Sequence, residues 1–210
     1  MRENGQSTSA KPAPVLLSLR ALHIDTSSVV FQYDVQNQTE EPIYIFSLLY
    51  RTDSSGAVRT DANLVYSFLA DDGVLEFRKA LLEVPPWAFV DAPEEPYLTR
   101  IDKDGRYQEV IRVTLPVRCY DPYEENYPPG RVPELVQSKG WRFVLGHIPK
   151  LSHPAKVEKE TIFGKDYFVL PYAESVANQV LLKSNVAQDR LAVLSPARVH
   201  EREFVKQSDK

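Results

Sequence analysis

The 210-residue sequence predicts a mainly β protein, an antiparallel β-sandwich with a C-terminal extension of strands and one or two short helices. Three observations carry that expectation. Val29, Phe31, Tyr33 and Val35 alternate with Gln32, Asp34 and Gln36, the period of two that marks a strand with one buried face. Asp71-Asp72-Gly73 and Asp102-Lys103-Asp104-Gly105 set turn residues between apolar runs, with glycine where a hairpin needs positive φ. Helical periodicity is scarce, and turn signals separate seven or so short strands instead of alternating β and α units.

In chain order, residues 1–14 are polar and rich in Ser and Pro and read as a disordered arm. Residues 15–197 read as one domain, with the extension packed on the sandwich from about residue 119, and 198–210 as a frayed charged tail. Val15 to Ile24 is β-like. Ser18, Arg20 and His23 interrupt its apolar run, so no signal peptide is expected and a cytoplasmic location fits. Ile43 to Tyr50 is almost uninterruptedly apolar and predicts a strand covered on both faces. Leu64–Ala70 and Val74–Leu82 flank the first Asp-Gly turn, and Val110, Ile111, Val113, Leu115 and Val117 follow the second. Pro133 and Gly140 bracket a short helix. Ala173, Val176, Ala177, Val180 and Leu181 stand at helical spacing and predict a helix over 172–183. Trp141, Phe143 and Leu145 alternate as a further strand, and Leu191 to Leu194 supply another.

The segment 29–117 resembles an immunoglobulin-like sandwich, through the Val-x-Phe-x-Tyr-x-Val-x-Asn strand and the Pro-containing turn after it. It also resembles, loosely, the bacterial intracellular proteinase inhibitor family, in which a similar strand precedes a late Gly turn and a strand ending near Pro, here Gly105 to Pro116. The resemblance implies an immunoglobulin-like fold. No reactive-loop residue is carried over, because none matches position by position.

Composition removes several activities. With 25 Lys and Arg against 29 Asp and Glu, the chain lacks the basic footprint of a nucleic-acid binder. No run reaches the 18 or so apolar residues of a spanning helix, so no membrane partner is expected. Cys119 is the only cysteine and stands in no nucleophile signature; with His147 or His153 it forms no local pair, and it reads as a packing residue. The histidines at 23, 147, 153 and 200 are scattered, and the Asp102-Asp104-Gly105 turn puts Arg100 and Ile111 where a calcium loop needs acids, so no metal is expected. With 8 glycines and no phosphate-cradling motif, no nucleotide cofactor is expected either.

The positive signal is a concentration of proline and tyrosine between residues 85 and 133. Proline stiffens loops, and Tyr or Trp offers contact area with few rotatable bonds, a combination suited to recognition. The sequence therefore points to a non-catalytic binding protein for a protein or peptide partner. The expected surface comprises Trp87, Tyr97, Tyr120, Tyr123 and Tyr127, with Glu94, Glu95, Glu124 and Glu125 around them. A small-ligand or carbohydrate-binding module, a hydrolase with a dispersed site, and homo-oligomerisation stay open. Because no flexible Gly/Ser linker precedes residue 119, calorimetry is expected to show one cooperative transition; two transitions, or stable folding of residues 1–118 alone, contradict a single unit.

Overall fold

A computed structural model describes residues 14–52, 57–86, 88, 90, 95–123, 132–151 and 157–195. The architecture is mainly β and sandwich-like, with one helix among the described residues. The strands are β1 (Val15–Ile24), β2 (Ser28–Asn37), β3 (Ile43–Thr52), β4 (Val58–Asp61), β5 (Tyr66–Leu69), β6 (Leu75–Lys79), β7 (Tyr97–Ile101), β8 (Arg106–Thr114) and β9 (Val117–Arg118). They continue as β10 (Glu134–Gln137), β11 (Trp141–Ile148), β12 (Glu158–Ile162), β13 (Lys165–Val169), helix α1 (Tyr172–Asn178), β14 (Val180–Lys183) and β15 (Ala192–Ser195). No described helix is long and apolar enough to cross a membrane.

One layer is the three-stranded sheet β1-β2-β8. The other is a nine-stranded sheet, with β12-β13-β7-β3-β11-β6-β5 as its main path and with β14 on β11 and β4 on β3. A small sheet, β10-β15-β9, completes the fold. All described pairs are antiparallel except β6 with β11 and β9 with β15, which the sequence did not signal. Aromatics lock the two large layers together. Phe31 of β2 stacks on Phe77 of β6 at 5.5 Å and meets Trp141 of β11 at 5.2 Å, while Tyr33 meets Phe143 at 4.4 Å. These are the inward positions of the β2 alternation, so the period of two is realised as the core. The Ile43–Tyr50 run is buried along both faces, as its composition requires. Gly73 takes φ 82° in the hairpin between β5 and β6.

Three local expectations are corrected. Residues bracketed by Pro133 and Gly140 form strand β10, not a helix, and pair with β15. Gly140 serves close approach: a Cβ there would lie 2.7 Å from the Ala187 carbonyl oxygen. The helix expected over 172–183 ends at Asn178, and Val180–Lys183 pairs with β11 instead. The intervening Gln179 turns its amide to the Leu81 backbone, accepting from its N–H at 2.8 Å and donating to its carbonyl at 3.1 Å. At the second turn the positive φ falls on Asp104, at 58°, and not on Gly105. Asp is among the few residues that tolerate that region. The segment after Cys119 is also more than a covering: β11 lies inside the large sheet between β3 and β6.

A buried charge joins the layers. β6 and β3 both pair with β11, β6 through Trp141–Leu145 and β3 through His147 and Ile148. Lys79, at the end of β6 and fully buried, donates to the Ser47 carbonyl on β3 at 2.6 Å, to the Ala62 carbonyl at 2.8 Å and to Glu109 Oε2 on β8 at 2.8 Å. All three ammonium protons are thereby used. The Tyr33 hydroxyl donates to the same Glu109 oxygen. Burial pulls the Lys79 ammonium below its ordinary range, and the Glu109 carboxylate opposes that pull. Burial, with the Glu109 charge second, holds the Tyr33 hydroxyl well above its usual range. Lys79→Met is expected to cost roughly 3–5 kcal/mol in urea denaturation, because it strands a partly buried carboxylate and two carbonyls. Lys79→Met/Glu109→Gln should be less destabilised than the sum of the single changes by more than about 1 kcal/mol.

Candidate functional site

An open groove of about 580 Å³ lies where the two layers part. One wall is the end of β8, through Arg112, Val113 and Thr114; the other comes from Arg51, Asp61 and Asn63, and Leu64, Val65, Val117 and Cys119 supply apolar lining. β8 ends its sheet, pairing with β2 alone among the described strands, so its second edge is turned to this side.

The opposite wall is shaped by an Asx turn at the end of β4. Asp61 Oδ1 accepts the Asn63 N–H at 2.8 Å, and the Leu64 N–H reaches the Asp61 carbonyl at 3.1 Å. That turn delivers the Asn63 side chain to β8, where its Oδ1 accepts the Arg112 backbone N–H at 2.9 Å. The Arg51 guanidinium stands 3.8 Å from Asp61 with both side chains substantially exposed, a pairing worth well under 1 kcal/mol. The Arg112 guanidinium donates to the Ser28 hydroxyl at 3.2 Å.

The groove closes on the segment that follows β9. Tyr120 and Ser67 of β5 exchange backbone hydrogen bonds at 3.0 and 3.1 Å, and the Ser67 hydroxyl donates to the Arg118 carbonyl at 2.9 Å. Tyr120 faces Tyr66 at 6.0 Å, and with Tyr123 it packs against the cluster of Leu49, Leu64, Tyr66 and Leu82. Asp121 Oδ1 accepts the Tyr123 N–H at 2.8 Å. Burial pushes the Asp121 carboxyl up, against that hydrogen bond and the nearby Arg78 charge. Cys119 is 5% exposed, and burial raises its thiol pKa, the opposite of an activated nucleophile. His147 is bonded elsewhere: its Nδ1–H donates to the Val180 carbonyl at 3.0 Å, and burial lowers its pKa. Among the described residues no group of three metal-ligating side chains assembles.

Of the surface expected from sequence, Trp87, Tyr127, Glu94, Glu124 and Glu125 lie outside the described residues, as does His153. The others form two groups. Tyr120 lines the groove and Tyr123 packs beside it. Tyr97 on β7 sits 6.0 Å from the Tyr50 ring and 6.2 Å from Tyr167. Next to it, the Glu95 N–H donates to the Tyr50 hydroxyl at 2.8 Å, and Glu95 Oε1 accepts the Tyr172 N–H at 2.8 Å. That carboxylate satisfies a first-turn amide of α1, whose preceding Pro171 offers no side-chain cap. The sequence reading missed Arg51, Asn63, Arg112 and Arg118. The outward alternation of Val110, Arg112 and Thr114 was legible; that β8 would end a sheet was not.

No protein-family model, curated protein or solved structure matches the chain. The raised thiol pKa sets a pH dependence for Cys119. Thiolate is scarce at pH 7 and the side chain is buried, so native alkylation by iodoacetamide should run slower than for free cysteine and accelerate only above the ordinary thiol range. Rapid alkylation at pH 6 to 7, read by intact mass, points instead to an activated thiol.

Proposed function

We propose that the protein is a non-catalytic binding module that recognises a protein or peptide at the groove bounded by β8, Arg118 and Tyr120. The carrying observation is the groove itself: an open slot with apolar lining and a rim of Arg51, Arg112, Arg118, Asp61 and Tyr120. Apolar lining with a few polar groups around it is the make-up of a recognition site. Tyr120 has its backbone held by Ser67 and its ring set against Tyr66, so little side-chain entropy is left to lose on binding. The buried thiol of Cys119 supports binding over nucleophilic chemistry. In this reading the frame is immunoglobulin-like, with β2 as its central aromatic strand, and Tyr120 at the start of the second Pro/Tyr-rich segment serves recognition.

Selection from a random-peptide display library tests it. The parent should enrich a peptide family, and Tyr120→Ala should weaken binding of that family by about 2 kcal/mol, roughly thirtyfold, while melting close to the parent. If Tyr120→Ala unfolds, Arg118→Glu, at an exposed position, carries the comparison. A library that yields no enriched family, or a family bound equally by folded Tyr120→Ala and Arg118→Glu, moves the function elsewhere.

A further inference from the structure

We propose that the open edge of β8 is a strand-addition site. An extended peptide of about five residues, alternating apolar and acidic side chains, pairs along Val110, Arg112 and Thr114 and sends its apolar side chains into the groove. The proposal rests on the recognition reading above and specifies its occupant.

The direction of the backbone groups follows from two hydrogen bonds. The Leu115 N–H turns toward β2 and donates to the Ser27 carbonyl at 2.8 Å, whereas the Arg112 N–H turns away from β2 to the Asn63 side chain. The β2–β8 register runs unbroken from Ser28↔Thr114 to Gln36↔Arg106, so backbone groups alternate without a slip. Val110, Arg112 and Thr114 therefore direct their amides to the open edge. The Asn63 amide oxygen occupies the central position that the carbonyl of an added strand would take, so the strand pairs with Val110 and Thr114 and displaces the exposed Asn63 side chain from the Arg112 N–H.

The edge keeps two of the devices that blunt one, the inward charge of Glu109 and the Asn63 side chain over the Arg112 amide, but lacks a bulge and a proline. β1, at the far side of the same sheet, carries a bulge between Ala21 and His23; β8 carries none, contains no proline and exposes Val110 at 49%. A strand added here would direct alternate side chains into the groove, toward Val113, Leu64, Val65 and Val117. Its other side chains would lie beside Arg112 on the outer face, with Arg51 and Arg118 on the rim. Three arginines against two aspartates make this groove locally positive on a chain of net charge −4, which favours acidic residues in the partner.

The test uses the full chain and a fluorescent peptide of about eight residues alternating valine and glutamate, with two controls: lysine in place of glutamate, and proline in place of alternate valines. Fluorescence anisotropy should show binding of the acidic peptide, about tenfold weaker binding of the lysine peptide and loss of the proline peptide. Val110→Pro removes an outward N–H without breaking a β2–β8 ladder bond, so it should melt like the parent and lose at least about tenfold in affinity. Thr114→Pro serves the same purpose if Val110→Pro unfolds, and Arg112→Glu should reverse the preference between acidic and lysine peptides. Amide NMR shifts should move first at Val110, Arg112 and Thr114. Strand addition is overturned by no binding of the acidic peptide, by equal binding of the proline peptide, by unchanged affinity in a folded edge-proline variant, or by concentration-dependent self-association of the parent that the variant abolishes. Display-selected peptides still sensitive to Tyr120→Ala would leave the recognition reading standing in any of those cases.

Discussion

The Lys79 ammonium is the point at which both large sheets are held to one geometry. Its Nζ contacts β3, the turn after β4 and β8 at once, and its own strand β6 runs parallel to β11. A hydrophobic side chain in that position would fill volume but leave the Ser47 and Ala62 carbonyls unbonded, each at a cost comparable to a lost hydrogen bond. Glu109 is held in turn by Lys79 and Tyr33, so the inter-sheet contact comes from directed bonds as well as from packed rings. Directed bonds have one satisfactory arrangement where an apolar interface has several, and the branch of β3 and β6 around β11 needs such a fixed reference.

The same constraint reaches the groove. Glu109 points inward from β8, and the residue after it, Val110, faces outward on the open side. Fixing Glu109 against Lys79 sets the height and direction of the β8 edge relative to the turn that carries Asn63. The Ala62 carbonyl bound by Lys79 belongs to that turn. One buried cation thus orders both walls, and the groove is preformed by the core instead of being moulded by its own loops.

Chain order and spatial order differ strongly. β11 is read late in the sequence, yet its aromatics Trp141 and Phe143 meet Phe31 of β2 in the middle of the core. Val193 on β15 and Leu191 just before it join the same buried cluster as Val29, and β9 pairs in parallel with β15. Parallel pairing needs a long excursion between partners, which is what residues 119–191 supply. Stability is therefore shared between the two halves of the chain.

By itself, the sequence determined the mainly β character and the local pieces that depend on side-chain period or turn chemistry. The β2 alternation, the doubly covered run of β3 and the Gly73 hairpin were legible because neighbouring residues settle them. Punctuation alone was ambiguous. Pro133 and Gly140 bracket a strand as readily as a helix, and only the nearby Ala187 carbonyl shows why glycine is needed. The helix after Pro171 ended early because Gln179 found backbone partners at Leu81, and Val180–Lys183 found β11, contacts made across the fold. Lys79 follows Glu-Phe-Arg in sequence and reads there as the charged end of a surface strand; its burial depends on Glu109, thirty residues on. Tyr120 could be singled out from its Pro- and Tyr-rich neighbourhood, but Arg51, Asn63 and Arg112 could not, since a groove between two sheet edges exists only once strand order is set. Period and turn chemistry act over a few residues and are written locally, whereas edges, buried charges and grooves belong to the tertiary arrangement.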